Sequence, residues 1–590
     1  MRNRSPKTYG SVRKSEDGKA WVVSTAPYIM LRFRRLFVGA TREQRMVRVV
    51  DGEQKSSADE LMLVRTKRTA RDLEWFLDRY PMKVAKSVMQ EIEDLAAEHR
   101  KIERSVDVVM DPSHVAPAFA MAIEPREYQR QAAALALATR GLLVGDDVGL
   151  GKTVTAIATL TDPRTRPALV VTLTHLTSQW EAELHRFMPG LNVHVVKNGM
   201  VRDLTVASTR AEKRQAVNGK IPYPDVIVIN YHKLKSWAEA LGGVMRSVIF
   251  DEAQELRHFD SNKYLAAESI ALQADFRLGL TATPVYNYGG EIHSILRVIT
   301  QGEIGTRGEF VAEWCGANSE IVDKPRALGT YLREEGLMIR RTRTQVGREL
   351  PPLQQIAHKT DADLKALDEI NDRVTELARI ILREDKEDTP GQRMEASNEI
   401  SWRLRMATGM AKAPYVADFV TMISESERKI VLYGWHRAVY DVWREKLKHL
   451  EPVFYTGEES TVQKDAAKSR FIKDPRCRLM ILSLRAGAGL DGLQGVARTV
   501  VFGELDWSPG VHEQCVGRVY RDGQAEPVVA YYLVSDYGAD PVMADVLQIK
   551  DLQARGIRDP DADVIERSQV DPDKIKRLAA DYIARKRNAT

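Results

Sequence analysis

Cysteine is scarce in this chain, and the cysteines that occur stand far apart. Cys315, Cys477 and Cys515 are the only ones in 590 residues, and no two of them form a C-x-x-C pair. Without close pairs, neither a disulfide framework nor a cysteine-based zinc site is predicted. We therefore expect three plain thiols.

Long apolar runs and a one-sided charge are lacking as well. No stretch reaches the roughly 18 apolar residues of a bilayer-spanning helix, and the basic start of the chain is not followed by the apolar segment of a secretory signal. We expect no membrane insertion and a cytoplasmic location. Basic and acidic residues number 87 and 82, so the net charge of +5 identifies no partner. Basic clusters at 32–35, 574–577 and 585–587 suit either a nucleic acid or a solvated helix face.

Residues 1–120 carry no catalytic pattern. Strand-like runs occur at 21–23, 28–31 and 47–50, and helical patterns follow at 70–80 and 84–95. We predict a small α+β accessory domain. Its aromatic residues Trp75, Phe76 and Tyr80 either fill the core or form a surface that stacks on bases, so DNA contact is a candidate role of this domain.

From residue 121 onward, apolar runs alternate with helical patterns. This alternation is typical of α/β proteins with doubly wound parallel sheets. We predict a first lobe at 121–355 and a second at 416–545, joined by a helical connector at 356–415 and followed by a basic helical tail at 546–590. The predicted strands are 142–144, 168–172, 226–230, 248–250 and 278–280 in the first lobe, and 430–433, 479–482, 499–502 and 528–534 in the second.

A Gly-rich loop between a predicted strand and a predicted helix is the first chemical signature. The segment 144–153 reads VGDDVGLGKT. In such a loop, backbone N–H groups and the Lys152 ammonium point at phosphate oxygens, and the Thr153 hydroxyl can bind Mg²⁺. The strict pattern G-x-x-x-x-G-K-[ST] fails at Asp146. Alone, the segment also fits a Gly-rich turn with a surface lysine.

Paired carboxylates follow a later apolar strand. Asp251 and Glu252 come directly after the run 248–250. Phosphoryl transfer to water needs one carboxylate that holds Mg²⁺ and a second that polarises the attacking water, and we assign Asp251 and Glu252 to these tasks. Thr281 and Thr283 follow the next strand, where a loop could sense the γ-phosphate. An ordinary acidic pair on the surface is the alternative.

The stretch 514–524 contains two arginines three residues apart. On a helix, Arg518 and Arg521 would share a face and could reach one phosphate. Arginine stabilises the charge that develops on the γ-phosphate, and one arriving from a separate lobe would make hydrolysis depend on lobe closure. Taken singly, an R-x-x-R pair is more typical of surface salt bridges.

In their order along 120–540, these motifs resemble those of Swi/Snf-type ATPases of helicase superfamily 2. The resemblance implies two RecA-like lobes. It rests on REYQ at 126–129, DDVGLGKT at 146–153, LTSQW at 176–180, DEAQ at 251–254, LTATP at 280–284, RRT at 340–342 and the stretch 514–524. YGWH at 433–436 and ELDWSPG at 504–510 look most like the compact HARP-type branch, whose members anneal or remodel DNA forks. No nuclease, chromatin-reader or zinc motif is appended, which favours a prokaryotic or phage enzyme.

The resemblance also implies roles for individual residues. ATP would be bound by Arg126, Gln129, Asp147, Gly149, Gly151, Lys152 and Thr153. Catalysis would use Lys152, Asp251, Glu252, Gln514, Arg518 and Arg521, with Mg²⁺ held by Thr153 and Asp251. DNA would be contacted by Thr174, Ser178, Gln179, Trp180, Arg485, Gly487 and Trp507. Two departures stand out: DEAQ replaces the commoner DEAH, and 485–491 departs from the family pattern R-A-G-G-x-G-I-N.

We expect an ATP-dependent translocase that grips the phosphate backbones of double-stranded DNA, acts as a monomer and uses ATP with Mg²⁺. Forked or branched DNA is an expected substrate. A helicase that separates strands of DNA or RNA is one alternative, because a strand-separating wedge has no sequence signature. An ATP-gated DNA clamp with little turnover is an alternative of another class.

Overall fold

In a computed structural model, the chain folds into two compact units. The amino-terminal unit contains residues up to Asp146 together with 151–341, and the carboxyl-terminal unit contains 147–150 and the described residues from Thr342 onward. The structure describes residues 8–37, 41–42, 49–50, 53–54, 60–111, 113–207, 213–214, 216–285, 289–316, 321–363, 365, 367, 390–484, 490–544 and 547. Among these residues, no helix is long and apolar enough to cross a membrane. The three cysteines are free and buried, as predicted.

The first part of the amino-terminal unit is an α+β domain. Its strands are β1 (Gly10–Lys14), β2 (Ala20–Thr25), β3 (Thr41–Arg42), β4 (Val49–Val50), β5 (Glu53–Gln54), β6 (Glu60–Val64) and β7 (Lys83–Val84), and its helices are α1 (Pro27–Leu36), α2 (Lys67–Arg79) and α3 (Lys86–Met110). The main sheet has the order β3-β6-β2-β1-β7, and β4 pairs with β5 separately. Only β7 runs parallel to its neighbour in this sheet.

Helix α1 replaces the strand predicted at 28–31. Pro27 stands at the start of this helix, where its fixed φ and missing N–H are favourable. Ile29, Met30 and Phe33 are buried, and residues four apart lie on one face of a helix. The apolar run therefore faces the core as a helix, and the strand prediction is wrong.

The core of this domain is aromatic. Trp21, Phe33 and Phe76 are fully buried. The rings of Phe33 and Phe76 meet edge to face with centroids 5.1 Å apart, and Tyr80 lies 4.8 Å from Phe76. Trp75, by contrast, is 55% exposed. Of the three aromatic residues considered for base stacking, Phe76 belongs to the core and Trp75 presents its ring to solvent.

The rest of the amino-terminal unit is a parallel α/β lobe. Its elements are α4 (Glu127–Thr139), β8 (Gly141–Val144), α5 (Lys152–Thr159), β9 (Ala168–Thr172), α6 (Thr177–Phe187), β10 (Val193–Val195), β11 (Val226–Asn230), α7 (Tyr231–Leu241), β12 (Ser247–Asp251), α8 (Asn262–Ala271), β13 (Phe276–Leu280), α9 (Ile292–Thr300), α10 (Arg307–Trp314), α11 (Pro325–Glu334) and β14 (Met338–Ile339). The sheet order is β10-β11-β9-β12-β13-β8-β14, and every pair is parallel. The five predicted strands are confirmed and lie in the middle of the sheet, where burial on both faces requires continuous apolar runs.

The carboxyl-terminal unit contains a second RecA-like lobe of the same kind. Its elements are β15 (Leu353–Lys359), α12 (Pro390–Ile423), β16 (Ile430–Gly434), α13 (Arg437–Lys446), β17 (Val453–Tyr455), α14 (Thr461–Lys473), β18 (Leu479–Ser483), β19 (Thr499–Phe502), α15 (Pro509–Val516) and β20 (Val528–Val534). The sheet order is β15-β20-β19-β16-β18-β17, again with parallel pairs throughout. The four predicted strands of this lobe are confirmed.

Strands at the edges of the sheets are not predicted from the sequence. Strand β15 pairs with β20 along its full length, yet six of its seven residues are exposed. An exposed strand has no continuous apolar run, so nothing in the sequence marks it. This strand crosses the boundary expected at residue 355, and α12 continues past the boundary expected at residue 415. The segment called a connector therefore starts and ends in elements of the second lobe.

Candidate active site

The Gly-rich loop joins β8 to α5. Lys152 is the first residue of the helix, and Gly149 and Gly151 have φ values of +83° and +73°. Glycine adopts this left-handed conformation without strain. A Cβ on Gly151 would also stand 2.5 Å from Gln129 Nε2, so the Gln129 side chain would have to shift. The Lys152 ammonium donates to the Asp146 carbonyl at 2.8 Å, which keeps it over its own loop.

Asp146 has a structural role at the position where the general pattern has glycine. Its side chain is fully buried, and Arg341 binds both carboxylate oxygens, with Nε 3.0 Å from Oδ1 and Nη2 2.5 Å from Oδ2. The backbone N–H of Arg341 donates to Oδ1 at 3.0 Å. Arg341 also donates to the carbonyl of Tyr128 and lies over the Tyr128 ring. The R-R-T segment therefore holds the first residue of the loop.

Gln129 connects the start of α4 with the loop. It is buried, its Oε1 accepts a hydrogen bond of 2.9 Å from the backbone N–H of Arg126, and its Nε2 lies 3.5 Å from the Gly151 carbonyl. Arg126 itself is exposed. In the loop, the Asp147 carboxylate accepts a hydrogen bond of 3.1 Å from the backbone N–H of Arg343. These contacts hold Gln129 and Asp147, two of the residues assigned to nucleotide binding. The contact with Arg126 uses its backbone N–H.

Strand register brings the separate motifs to one edge of the sheet. Asp251, at the end of β12, pairs with Leu280 of β13, and Leu280 pairs with Val144 of β8. The acidic pair, the Thr281 turn and the Gly-rich loop therefore leave three adjacent strands at the same level. Side chains that are distant in sequence thus meet at the carboxyl edge, where parallel α/β sheets bind their ligands.

Asp251 is held by two donors. Its Oδ2 accepts hydrogen bonds of 2.8 Å from Thr172 Oγ1 and from Trp180 Nε1. Burial raises the pKa of Asp251 to about 6 and the Glu252 charge adds to this, whereas the two hydrogen bonds and Lys152 oppose it. A divalent cation near this carboxylate would favour its ionised form. The surroundings of Asp251 therefore suit a carboxylate that binds a cation.

The donor set suits Mg²⁺. This ion prefers oxygen ligands, keeps several waters and is usually held by one or two carboxylates together with substrate phosphates. Both hydrogen bonds to the Asp251 carboxylate fall on Oδ2, so Oδ1 is the oxygen available to the ion or its waters. The Thr153 hydroxyl, in the first turn of α5, supplies a second hard ligand at the same sheet edge.

Glu252 is positioned by the fourth residue of its motif. Its φ of +51° lies in the left-handed region, which for a non-glycine residue costs about 1–2 kcal/mol. Its Oε2 accepts a hydrogen bond of 2.6 Å from Gln254 Nε2, and Gln254 is 4% exposed. The glutamine that replaces the commoner histidine therefore contacts the carboxylate assigned as the base.

The Thr281 turn is tied to the start of the Gly-rich loop. The backbone N–H of Thr281 donates to the Val144 carbonyl at 3.1 Å, and its Oγ1 accepts from the backbone N–H of Thr283 at 3.0 Å. Both threonines are buried. The turn therefore leaves its strand beside the point where the Gly-rich loop begins, and its role as a γ-phosphate sensor stays a prediction.

Arg518 and Arg521 lie in the carboxyl-terminal unit beyond the end of α15. The prediction that they share a helix face is wrong, because the helix ends at Val516. Gly517, a poor helix former, takes the cap position, and the N–H groups of Arg518 and Val519 donate to carbonyls three residues back. Gln514 lies inside the helix. The two arginines thus belong to a turn.

Acidic residues hold this turn. Arg521 forms an ion pair with Asp491, which comes from the segment after β18. Arg348 binds both carboxylate oxygens of Asp522 at 2.5 and 2.6 Å. Arg521 therefore has a fixed carboxylate partner in this structure, and any role at a phosphate requires it to leave or share Asp491.

The residues predicted to contact DNA fall into two classes in the amino-terminal unit. Thr174, Ser178 and Gln179 are exposed on one short segment that leads into α6. Trp180 is only 2% exposed and donates to Asp251. The Trp180 ring packs in the core of the lobe and its N–H is used by Asp251, so a DNA contact by Trp180 stays a prediction that this structure does not favour.

The remaining predicted DNA contacts belong to the carboxyl-terminal unit. Trp507 is half-buried, and its Nε1 donates to Ser401 Oγ of α12 at 3.2 Å. Arg485 and Gly487 lie outside the described residues.

Several functional contacts were missed from the sequence. Thr172 and Tyr231 both support Asp251, the latter through a hydrogen bond of 2.9 Å from its hydroxyl to the Asp251 carbonyl. Thr172 did carry a signal, since it is a polar residue at the carboxyl end of an apolar strand. Arg341 and Asp491 pair with motif residues across 195 and 30 positions of sequence, which no local pattern reveals.

Comparison with known proteins places these contacts in a family context. The family model described as the SNF2-related domain matches residues 69–401, which is more than half of the chain. The match includes the Gly-rich loop, the acidic pair and the R-R-T segment.

Individual relatives are more distant and longer. The mouse DNA annealing helicase and endonuclease ZRANB3 is 27% identical over 447 residues, which cover 72% of this chain and 40% of that protein. The bovine SWI/SNF-related matrix-associated actin-dependent regulator of chromatin subfamily A-like protein 1 is 26% identical over 452 residues, which cover 72% of this chain and 44% of that protein. The chain thus spans about two fifths of the length of these curated relatives.

Among solved structures, the Sulfolobus solfataricus SWI2/SNF2 ATPase core in complex with dsDNA is similar to this chain. The identity is 20% and the TM-score 0.35, and the match covers 75% of this chain and 96% of that chain.

Proposed function

Because the chain belongs to the family of the SNF2-related domain, we propose that it is an ATP-dependent translocase on double-stranded DNA. The observation that carries the proposal is the alignment of Asp251, Leu280 and Val144 on neighbouring strands. This register joins the phosphate loop, the metal-binding carboxylate and the base at one sheet edge. Such a set is complete for hydrolysis of a nucleoside triphosphate.

The residues divide the chemical work. Lys152 neutralises β- and γ-phosphate charge after it exchanges the Asp146 carbonyl for the nucleotide. Asp251 and Thr153 would hold Mg²⁺, which would supply positive charge beside the phosphates. Glu252, held by Gln254, orients the attacking water and takes its proton. Arg518 and Arg521 are the proposed source of further positive charge for the γ-phosphate, a role that requires Arg521 to leave or share Asp491.

Duplex DNA is the proposed track. Thr174, Ser178 and Gln179 offer exposed hydroxyl and amide groups near α6, and such groups bind phosphate oxygens without reading sequence. The same helix carries Trp180, which donates to Asp251. DNA bound to this segment could therefore act on the catalytic carboxylate through one short helix.

Forked or branched DNA is the proposed preferred form. One relative is named as a DNA annealing helicase and another as a regulator of chromatin. The similarity covers 40% and 44% of those proteins, so their names suggest this substrate without establishing it. Within the present chain, the exposed ring of Trp75 on the α+β domain supports the proposal, because aromatic side chains stack on unpaired bases at a junction.

The test is steady-state ATPase activity with no DNA, saturating single strand, saturating duplex and saturating fork. We expect duplex or fork to raise kcat far more than it changes KM for ATP, since DNA would favour the catalytically complete state. Equal rates in all four conditions would defeat the proposal. Stimulation by single strands alone would favour a strand-separating helicase, and tight DNA binding with little turnover would favour a clamp.

Lys152→Ala is the control for this measurement. It should abolish turnover under every condition while DNA binding without nucleotide persists. Near-normal turnover in a folded Lys152→Ala chain would show that the nucleotide site has been misassigned.

A further inference from the structure

The amino-terminal unit contains a cleft of about 600 Å³ between its α+β domain and its lobe. One wall is formed by Gly18, Lys19 and residues 65–68, and the other by segments at 139–141, 274–277 and 331–337. Strands β8 and β13 begin beside this cleft. It therefore lies at the amino ends of the strands, whereas the phosphate loop lies at their carboxyl ends.

Basic side chains outnumber acidic ones in the lining of the cleft. Its charged lining residues are Lys19, Arg65, Lys67, Arg68, Arg140 and Arg277 on the basic side, and Asp275, Glu303 and Glu335 on the acidic side. Arg65 and Lys67 pair with Glu91 and Glu98, which do not line the cleft. Within the described ranges, the other four basic residues form no ion pair with a carboxylate. Two of these four belong to the α+β domain and two to the lobe, so like charges face each other.

The lobe contributes a buried arginine and an exposed one to the cleft. Arg277 is 9% exposed, and its guanidinium donates to the carbonyls of Ile299 and Ala274 at 3.0 and 2.5 Å. Burial lowers the pKa of Arg277 to about 10, and the neighbouring Arg140 charge contributes to this lowering. Arg140 follows α4 in a left-handed conformation, with φ of +60°. The Asp275 charge acts in the opposite direction but only partly offsets the cost of burying this guanidinium, and an anionic ligand would offset it further.

Arg68 and His99 complete the opposite side. The Arg68 guanidinium lies 4.8 Å from the ring centroid of Tyr331 and donates to its hydroxyl, which links the α+β domain to the lobe at the edge of the cleft. His99 is buried, and its Nε2 lies 3.4 Å from Glu103 Oε1, one turn further along α3.

We propose that this cleft binds a small phosphorylated anion, such as a nucleotide or an inorganic polyphosphate, which bridges Lys19 and Arg68 to Arg140 and Arg277. The volume is within the range of small-molecule sites. Guanidinium groups match phosphate oxygens in charge and in geometry. By neutralising like charges on both walls, the anion would fasten the α+β domain to the lobe, far from the catalytic edge.

Glu303 gives the site a pH dependence. Burial raises the pKa of Glu303 to about 7. Below this pH the carboxyl group is neutral and does not oppose an anion, so binding is expected to be tighter near pH 6 than near pH 8. Burial lowers the pKa of His99 to about 4, so His99 does not titrate in this range. The charged groups that act on Glu303 are Arg68, Lys67 and Arg71 of α2 and Glu335 after α11.

The test uses the full chain with Lys152→Ala, which weakens phosphate binding at the catalytic edge. Inorganic triphosphate, ADP and a short single-stranded oligonucleotide are titrated into it by calorimetry, and the melting temperature is followed in parallel. We expect triphosphate or ADP to bind and to raise the melting temperature. Lys19→Glu and Arg140→Gln should each weaken this binding by about tenfold or more. Lys235→Glu, an exposed position on α7, is the matched control and should change nothing.

The results distinguish a small-anion site from a nucleic-acid groove and from the absence of a site. Binding that is insensitive to both cleft substitutions, or absent altogether, would overturn the proposal. Binding of the oligonucleotide alone, with the same sensitivity, would overturn the small-ligand assignment and indicate a nucleic-acid groove. Glu303→Gln should make the affinity at pH 8 approach that at pH 6, beyond any change due to titration of the probe. An unchanged pH profile in this variant would refute the role of Glu303.

Discussion

Restoring the general phosphate-loop pattern should damage this protein. Asp146→Gly would give the chain the glycine that the strict pattern requires. In this structure, however, Asp146 is the buried partner of Arg341, with side-chain exposures of 1% and 11%. The substitution removes the counter-charge and three hydrogen-bond acceptor contacts at once, and it leaves a guanidinium buried beside the loop.

The expected loss is large. Removal of one partner from a buried ion pair costs about 3–5 kcal/mol, because the other charge stays desolvated. We therefore expect the unfolding free energy of the amino-terminal unit, measured in urea, to fall by about 3–5 kcal/mol in Asp146→Gly.

The measurement is urea unfolding followed by fluorescence and by ATP turnover. Arg341→Met alone should also destabilise the unit, since the Asp146 carboxylate then stays buried without its partner. Asp146→Gly combined with Arg341→Met should lose less than the sum of the two single changes, because no lone charge remains. An Asp146→Gly chain within about 1 kcal/mol of the wild type would refute the structural role of Asp146. Additive losses in the double variant would show that the two side chains do not act as a pair.

Three further predictions follow from individual contacts. Trp180→Phe keeps an aromatic ring in the core but removes a donor to Asp251, so kcat/KM for ATP should fall about tenfold while DNA affinity stays unchanged. Gln179→Ala, in contrast, should weaken DNA binding and leave ATP turnover without DNA unchanged. The reverse pattern would indicate that Trp180 contacts DNA. Gln254→Ala should lower kcat without raising KM, as single-turnover rates and ATP binding would show. Because the folded-state pKa of Glu303, about 7, is above the ordinary 4.5, the unfolding free energy of the wild type should decline as pH rises between these values. Glu303→Gln should make that decline smaller in urea titrations at pH 5 and pH 8, and an unchanged decline would contradict the raised pKa.

The central strands and the local motifs can be predicted from the sequence. The strand 499–502 was predicted to the residue, because a strand buried on both faces needs an unbroken apolar run. Strand β15 was not, since an exposed edge strand has no such run. The run at 28–31 reads as a strand but forms part of a helix, and Pro27 at the start of that helix is the sequence signal that favours the helix.

The site shows the same division between local and distant information. Lys152, Asp251 and Glu252 follow from motif spacing, and the structure aligns their strands. The partners of these residues do not follow from spacing. Trp180 looks like an exposed motif residue in sequence, yet its donor reaches Asp251 across 71 positions. Such contacts depend on which strands become neighbours in the sheet, and this is decided by tertiary packing.

The central claim is that ATP hydrolysis moves this protein along duplex DNA without separating the strands. Displacement of a fluorescent third strand from a triplex tests it most directly, because the third strand is released only when a protein travels through it. We expect displacement that requires ATP, Mg²⁺ and Lys152, while the underlying duplex stays paired. ATP turnover stimulated by duplex without any displacement, or displacement accompanied by unwinding of the duplex, would contradict it.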